Sequence, residues 1–124
     1  MSISLGTVTQ GNAAEGVKTT LNTGGTFVIY SGTPPTNAQT ALSGNTVLAT
    51  HTLSTFTRSG GTVTAGAITD ATIAATGTAT FFRCIVSSTA EIQGTVGTSG
   101  SGADAIVNST AYTSGGTKIG RAHV

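Results

Sequence analysis

The stretch "GTATFFRCIVSSTAEIQGTVG", residues 77–97, carries the strongest β signal in the chain. Its first part is a run of aromatic and β-branched residues, which is typical of a buried strand. A short turn at Ser87–Ala90 separates this run from "EIQGTVG" at 91–97. Two strand-like segments joined by a short turn predict a β-hairpin.

On both sides of this hairpin in the sequence, further segments alternate apolar and polar residues with the period of two that is typical of strands. They are "TFVIY" (26–30), "TVLATHTLS" (46–54), "GGTVTAGAIT" (60–69), "DAIVNST" (104–110) and "GTKIGRAHV" (116–124). The alternation places Phe27 and Ile29 on one face of the first segment. In the second, it places Val47, Ala49 and His51 on a common face.

One segment has helical rather than β periodicity. In "QGNAAEGVKTTLNTGG" (10–25), Asn12 and Glu15 have the spacing of a capping box, and apolar residues recur at helical intervals up to Leu21. We therefore predict a mainly β protein, an antiparallel β-sandwich or barrel of about 6–8 short strands with one short N-terminal helix. The expected organisation is a single domain over 1–124, with an N-terminal arm at 1–9 and a polar C-terminal arm at 116–124.

The composition excludes several classes of function. Charged residues make up 7% of the 124 residues, and the five Lys and Arg residues are dispersed, so a phosphate-binding face for nucleic acid is not expected. No apolar stretch approaches the roughly 20 residues of a membrane helix, and "MSISLGTVTQ" (1–10) lacks a basic region followed by an apolar run, so a secretory signal is not expected. We expect a protein folded in a cytoplasm, with a nearly neutral surface that suits packing against other subunits.

The residues that could carry chemistry do not form a constellation. The four carboxylates are not paired in sequence, the two histidines lack metal-ligand spacing, and Cys84 is the only cysteine. Cys84 lies mid-strand, so its side chain is expected to point away from that of Arg83 and to be inert. These observations predict no catalytic residues, no metal site and no cofactor.

Arg83 interrupts an apolar run, so the sequence predicts that it is either partly exposed or buried in an ion pair. A structural pair with Asp104 is the preferred interpretation, with Asp70 and Glu91 as alternatives.

The segment "SGTPPTNAQTALSGN" (31–45) ends the first strand, because consecutive prolines cannot donate hydrogen bonds to a sheet. It is interpreted as a structural hinge that also offers contact residues, namely Thr33, Pro34 and Pro35.

The order of several segments resembles a family of small tailed-bacteriophage virion proteins. The resemblance covers roughly residues 12 to 110 and is carried by these segments: "GGTFVIYSGTPPTNAQTAL" (24–42), "VLATHTLS" (47–54), "GTATFFRCIVSS" (77–88) and "IQGTVGTSGSGADAIVNST" (92–110). These motifs are strand and turn patterns without catalytic residues. Two departures are His51, which would put a polar edge on its strand, and the polar ending "GGTKIGRAHV".

The resemblance implies a non-enzymatic virion structural protein, a capsid decoration (cement) protein that is made in the host bacterial cytoplasm and lies at the capsid surface. Its partners would be the major capsid protein and neighbouring copies of itself, with an oligomeric arrangement on the virion. Attachment would use Ile3, Leu5 and Val8 as an added strand, together with the loops at 31–35 and 97–104. The alternatives are a tail or fibre component that binds a host glycan, and a small hydrolase.

Overall fold

The computed structural model describes residues 25–53, 56–59, 62–65 and 71–118, together with single positions between 12 and 19. The protein is mainly β. The described strands are β1 (Thr26–Ser31), β2 (Val47–Thr52), β3 (Phe56–Ser59), β4 (Thr62–Ala65), β5 (Ala71–Thr72), β6 (Gly77–Val86), β7 (Thr89–Gly97), β8 (Ala105–Ile106), β9 (Ala111–Tyr112) and β10 (Thr117–Lys118). Most of the predicted N-terminal helix, all of the predicted N-terminal arm and most of the predicted C-terminal arm lie outside the described residues.

The main sheet has six strands in the order β2-β1-β6-β7-β8, with β9 also pairing with β6. It curls into a half-barrel. All pairs within it are antiparallel except that of β7 with β8, which is parallel. The sheet is therefore mixed, not purely antiparallel as predicted, because the connection after β7 brings the chain back to run beside β7 in the same direction. Two small pairs, β5 with β10 and β3 with β4, complete the described strands.

The predicted hairpin is confirmed as β6 and β7. Val86 pairs with Thr89, so the turn consists of Ser87 and Ser88 alone and is tighter than predicted. Both serines have positive φ, 50° and 67°, as a two-residue turn of type I′ requires. The register shifts near Cys84, and this bulge decides which residues of β7 face those of β6.

Both faces of the sheet are buried at its centre. On the first, Phe27 of β1 and Phe82 of β6 stack with ring centroids 4.6 Å apart. They belong to a cluster of 14 buried residues, among them Ile29, Cys84 and Tyr112. The prediction that Phe27 and Ile29 share a face is confirmed.

The predicted alternation of β2 fails at its beginning. Tyr30 pairs with Val47 and Ile29 with Ala49, so Leu48 is an extra residue between two pairs. This bulge buries both Leu48 and Ala49 in the first face and leaves Val47 40% exposed. Val47 therefore does not share the face of Ala49.

Candidate interaction surface: the loop between β1 and β2

The second face of the sheet carries a small apolar cluster and one buried charge. Val28, Tyr30 and Phe81 are buried there, and the rings of Tyr30 and Phe81 stack at 5.0 Å. Arg83, two residues after Phe81 on β6, is only 6% exposed. The chain between β1 and β2, residues 32–46, folds back toward this face and is held to it by side chains of the sheet.

Arg83 is the main attachment of this loop. Its Nη2 donates hydrogen bonds to the carbonyl oxygens of Thr40 at 2.7 Å and Asn37 at 3.3 Å. Its Nε donates to Oε1 of Gln93, the cross-strand neighbour on β7, at 2.9 Å. The guanidinium group thus joins the sheet to two points of the loop, and such charge-assisted bonds are stronger than neutral ones.

Gln93 extends this attachment to a third point. While its carbonyl oxygen accepts from Arg83, its Nε2 donates to the carbonyl oxygen of Pro35 at 2.8 Å. Sequence reasoning missed Gln93, because no pattern identifies an amide that bonds to a loop far along the chain. Arg83 and Gln93 are called the clamp below.

The loop is also shaped by bonds of its own. Oδ1 of Asn37 accepts from the backbone N–H groups of Gln39 and Thr40, an Asx-type turn. Nδ2 of Asn45 donates to the carbonyl oxygens of Ser31 and Thr33, which joins the two ends of the loop. The turn-rich composition therefore yields a defined conformation.

Two further features fix the start of the loop. Gly32 has a φ of +88°, and a Cβ there would lie 2.9 Å from Nδ2 of Asn45, so only glycine fits. Thr80 is the extra residue of a bulge in β6, and its hydroxyl donates to the carbonyl oxygen of Gly32 at 2.6 Å. Hydrogen bonds from Asn45, just before β2, and from Thr80 of β6 therefore fix the hinge that the sequence predicts at this position.

The predicted ion pair between Arg83 and Asp104 is wrong. Oδ2 of Asp104 accepts from the backbone N–H of Thr95 at 2.9 Å and from its hydroxyl at 3.1 Å. The register explains this arrangement: Thr95 faces Phe81, whereas Arg83 faces Gln93 and the loop. Asp104 instead joins the end of the loop at 97–104 to β7, so this second candidate contact loop is also anchored.

The predicted contact residues have different positions. Thr33 and Pro34 are exposed, and Pro35 is half-buried, with its carbonyl oxygen bound to Gln93. Ile3, Leu5 and Val8 lie outside the described residues. No charged residue occurs between Lys18 and Arg58, so the outer surface of the loop is neutral. Leu42 at the end of the loop is 40% exposed, as is Val47 beyond it.

Three described side chains that can act in catalysis, those of Cys84, His51 and Tyr112, lie in the core. Burial raises the pKa of the Cys84 thiol to about 11, and its side chain belongs to the first face while that of Arg83 lies on the second, as predicted. His51 is 3% exposed and packs against Phe27 at 6.3 Å, so it does not form the polar strand edge that was expected. Burial also raises the pKa of Tyr112 to about 12.

Within the described ranges, no three His, Cys, Asp or Glu side chains come together as metal ligands. None of the described residues form a helix of the length and apolarity needed to cross a membrane. Comparison with protein-family models, curated proteins and solved structures finds no match to this chain.

Proposed function

We propose that this protein is a non-enzymatic bacteriophage virion protein of the decoration (cement) class, which binds the assembled capsid and stabilises it. The observation that carries the proposal is the loop between β1 and β2. Its inner side is fixed by the clamp, and its outer side exposes Thr33 and Pro34, in a segment that contains no charged residue. A preformed neutral surface can bind a partner without the entropic cost of ordering a mobile loop.

The distribution of reactive groups favours binding over catalysis. Cys84 and His51, which would be the usual nucleophile and base, are buried in the first face. A thiol whose pKa lies near 11 is almost fully protonated at neutral pH and is a poor nucleophile.

The aromatic residues disfavour the alternative, a tail or fibre protein that binds glycans. Sugar-binding sites commonly present exposed aromatic rings. The side chain of Phe56 lies outside the described part of the structure. The other five of the six aromatic residues are buried, namely Phe27, Tyr30, Phe81, Phe82 and Tyr112.

The proposal includes the finer architecture. The half-barrel would be closed into a sandwich or barrel by the rest of the chain, including a short N-terminal helix. Residues 1–9 would form an arm in which Ile3, Leu5 and Val8 add a strand to the major capsid protein. Neighbouring copies would contact one another on the virion surface.

The first test is the copy number of the protein in purified virions, relative to the major capsid protein. A ratio near one, or a simple fraction of it, supports a decoration layer. A few copies per particle would place the protein in the tail or a fibre, and its absence would contradict a virion role altogether.

A second test addresses the contact residues. Thr33→Glu puts a charge on the neutral loop surface and should abolish attachment to virions without changing the melting temperature. Thr89→Glu, at an exposed position beside the hairpin turn, is the matched control and should attach normally. Deletion of residues 1–8 should weaken attachment and leave the fold intact. Full attachment of that truncated protein would contradict the arm.

A further inference from the structure

The described residues engage only part of the hydrogen-bonding capacity of Arg83. A guanidinium group has five N–H donors. Nε donates to Gln93, and Nη2 donates to the carbonyl oxygens of Asn37 and Thr40. The part of the chain that the structure describes supplies no acceptor for the two N–H groups of Nη1.

No carboxylate among the described residues compensates the positive charge of Arg83, and Asp70, one of the predicted alternatives, lies outside those residues. The side chain is more than nine-tenths buried, and its partners in the described ranges are neutral oxygens. Buried charges are normally paired, because removing an ion from water is costly. Asp104 is engaged by Thr95 and does not reach Arg83. The arrangement of donors around a buried cation therefore suits an anion that comes from outside the described chain.

Tyr30 supplies a second donor beside Arg83. Val28 faces Arg83 and Tyr30 faces Phe81, so Tyr30 and Arg83 are diagonal neighbours on the same face, within reach of long side chains. Stacking on Phe81 fixes the ring, and the described residues supply no partner for its hydroxyl. Burial raises the pKa of Tyr30 and the charge of Arg83 lowers it in part, which agrees with their proximity. The hydroxyl is protonated at neutral pH and can donate.

We propose that Nη1 of Arg83 and the hydroxyl of Tyr30 form a binding site for a carboxylate group at the base of the loop between β1 and β2. The carboxylate belongs either to an Asp or Glu side chain of a neighbouring protein subunit or to a small free carboxylate. The site goes beyond the proposed virion role, since it depends only on the two side chains.

Acetate is the probe for the site in the purified protein. The Nε–H resonance of Arg83 is followed by ¹H–¹⁵N NMR during titration with sodium acetate, against sodium chloride at equal ionic strength. We expect a saturable shift with acetate only. Absence of a saturable shift overturns the site.

Two tyrosine variants test the composition of the site. Tyr30→Phe keeps the ring stack and removes the hydroxyl, so acetate should bind about tenfold more weakly, since a hydrogen bond to a charged group is lost. Tyr112→Phe, in the cluster on the other face, is the matched control and should bind acetate as the wild type does. Equal affinity of the wild type and Tyr30→Phe would overturn the two-residue site.

Sedimentation velocity in acetate and in chloride distinguishes the two sources of the carboxylate. Self-association, or co-sedimentation with virions, that is weakened by acetate and not by chloride assigns the site to a side chain of a neighbouring subunit. Association that is unaffected by saturating acetate assigns it to a small free carboxylate. The NMR result stands in either case, so the site can be judged even if the virion role fails.

Discussion

The two faces of the central sheet are buried by different means. Among the described residues, the first face has a cluster of 14 buried residues from many strands and the second has three, so apolar packing within these ranges dominates only the first. The second face is covered through hydrogen bonds from Arg83 and Gln93 to carbonyl oxygens of the loop. Such bonds contribute about 1–3 kcal/mol net each, those from the charged guanidinium group more than the one from the neutral amide, and they depend strongly on direction. The first face therefore supplies stability, and the second supplies a defined loop conformation.

The largest expected effect is on the first face. Phe82→Ala should lower the free energy of unfolding by about 3–5 kcal/mol, because it leaves a cavity beside Phe27. Urea unfolding measures the change. An unchanged midpoint would mean that the first face is not the main source of stability.

Alkaline pH should also act on the first face. The pKa of Cys84 rises from its ordinary value of 9.0 to about 11 on folding. Above pH 9 the thiol loses its proton in the unfolded chain before it does so in the folded protein. The contribution of the protonated thiol to the free energy of unfolding is therefore complete below pH 9 and is lost as pH rises through about 11. The loss amounts to about 2–3 kcal/mol.

Urea unfolding at several pH values between 8 and 11 measures this loss. Cys84→Ala is the control and should show a shallower decline over the same range, since only the tyrosines and the remaining groups then titrate. An equal slope for both proteins would contradict a buried thiol.

Breaking the clamp should have a smaller and more local effect. Arg83→Met removes the donors to Asn37 and Thr40, at a cost of about 2 kcal/mol for the carbonyl oxygens that lose their partners. Hydrogen exchange should accelerate at the amides of the loop more than at those of β1. Gln93→Met frees the carbonyl oxygen of Pro35 and the Nε–H of Arg83 but keeps both bonds from Nη2 to the loop, so it should accelerate exchange less. Uniform acceleration through both segments would show that the loop is not a separate unit.

The smallest effect should come from the hairpin turn, outside both clusters. Ser88 has a φ of 67°. This conformation costs more free energy for serine than for glycine, because the Cβ of serine lies too close to the backbone. Ser88→Gly should therefore stabilise the protein by roughly 0.5–1 kcal/mol, and the loop should exchange as in the wild type. A destabilised variant would contradict the turn geometry.

The strands of the hairpin and the faces of β1 could be predicted from the sequence, because periodicity and turn residues are local signals. The bulges could not. An unshifted hairpin with Val86 opposite Thr89 would pair Arg83 with Ile92, and the shift near Cys84 moves its partner to Gln93. The clamp therefore depends on one extra residue that leaves no mark in the pattern.

The error about Asp104 has the same origin. Charge pairing predicts that a buried arginine forms an ion pair with a carboxylate. In the folded protein, however, Asp104 binds Thr95, and Arg83 binds carbonyl oxygens of a loop that is distant in sequence. Backbone oxygens are present at every residue, so sequence alone cannot indicate which of them will receive a guanidinium group.

The central pairing of β1 with β6 has a consequence for synthesis on the ribosome. Thr26 pairs with Ile85, so β1 leaves the ribosome long before the strand that completes its second edge. Until residue 86 has emerged, β1 can pair only with β2, and both of its apolar faces lack Phe81 and Phe82. Such non-local pairing slows folding and leaves an open strand edge on the nascent chain. The nascent chain is therefore most vulnerable to aggregation in the interval between the synthesis of β2 and that of β6.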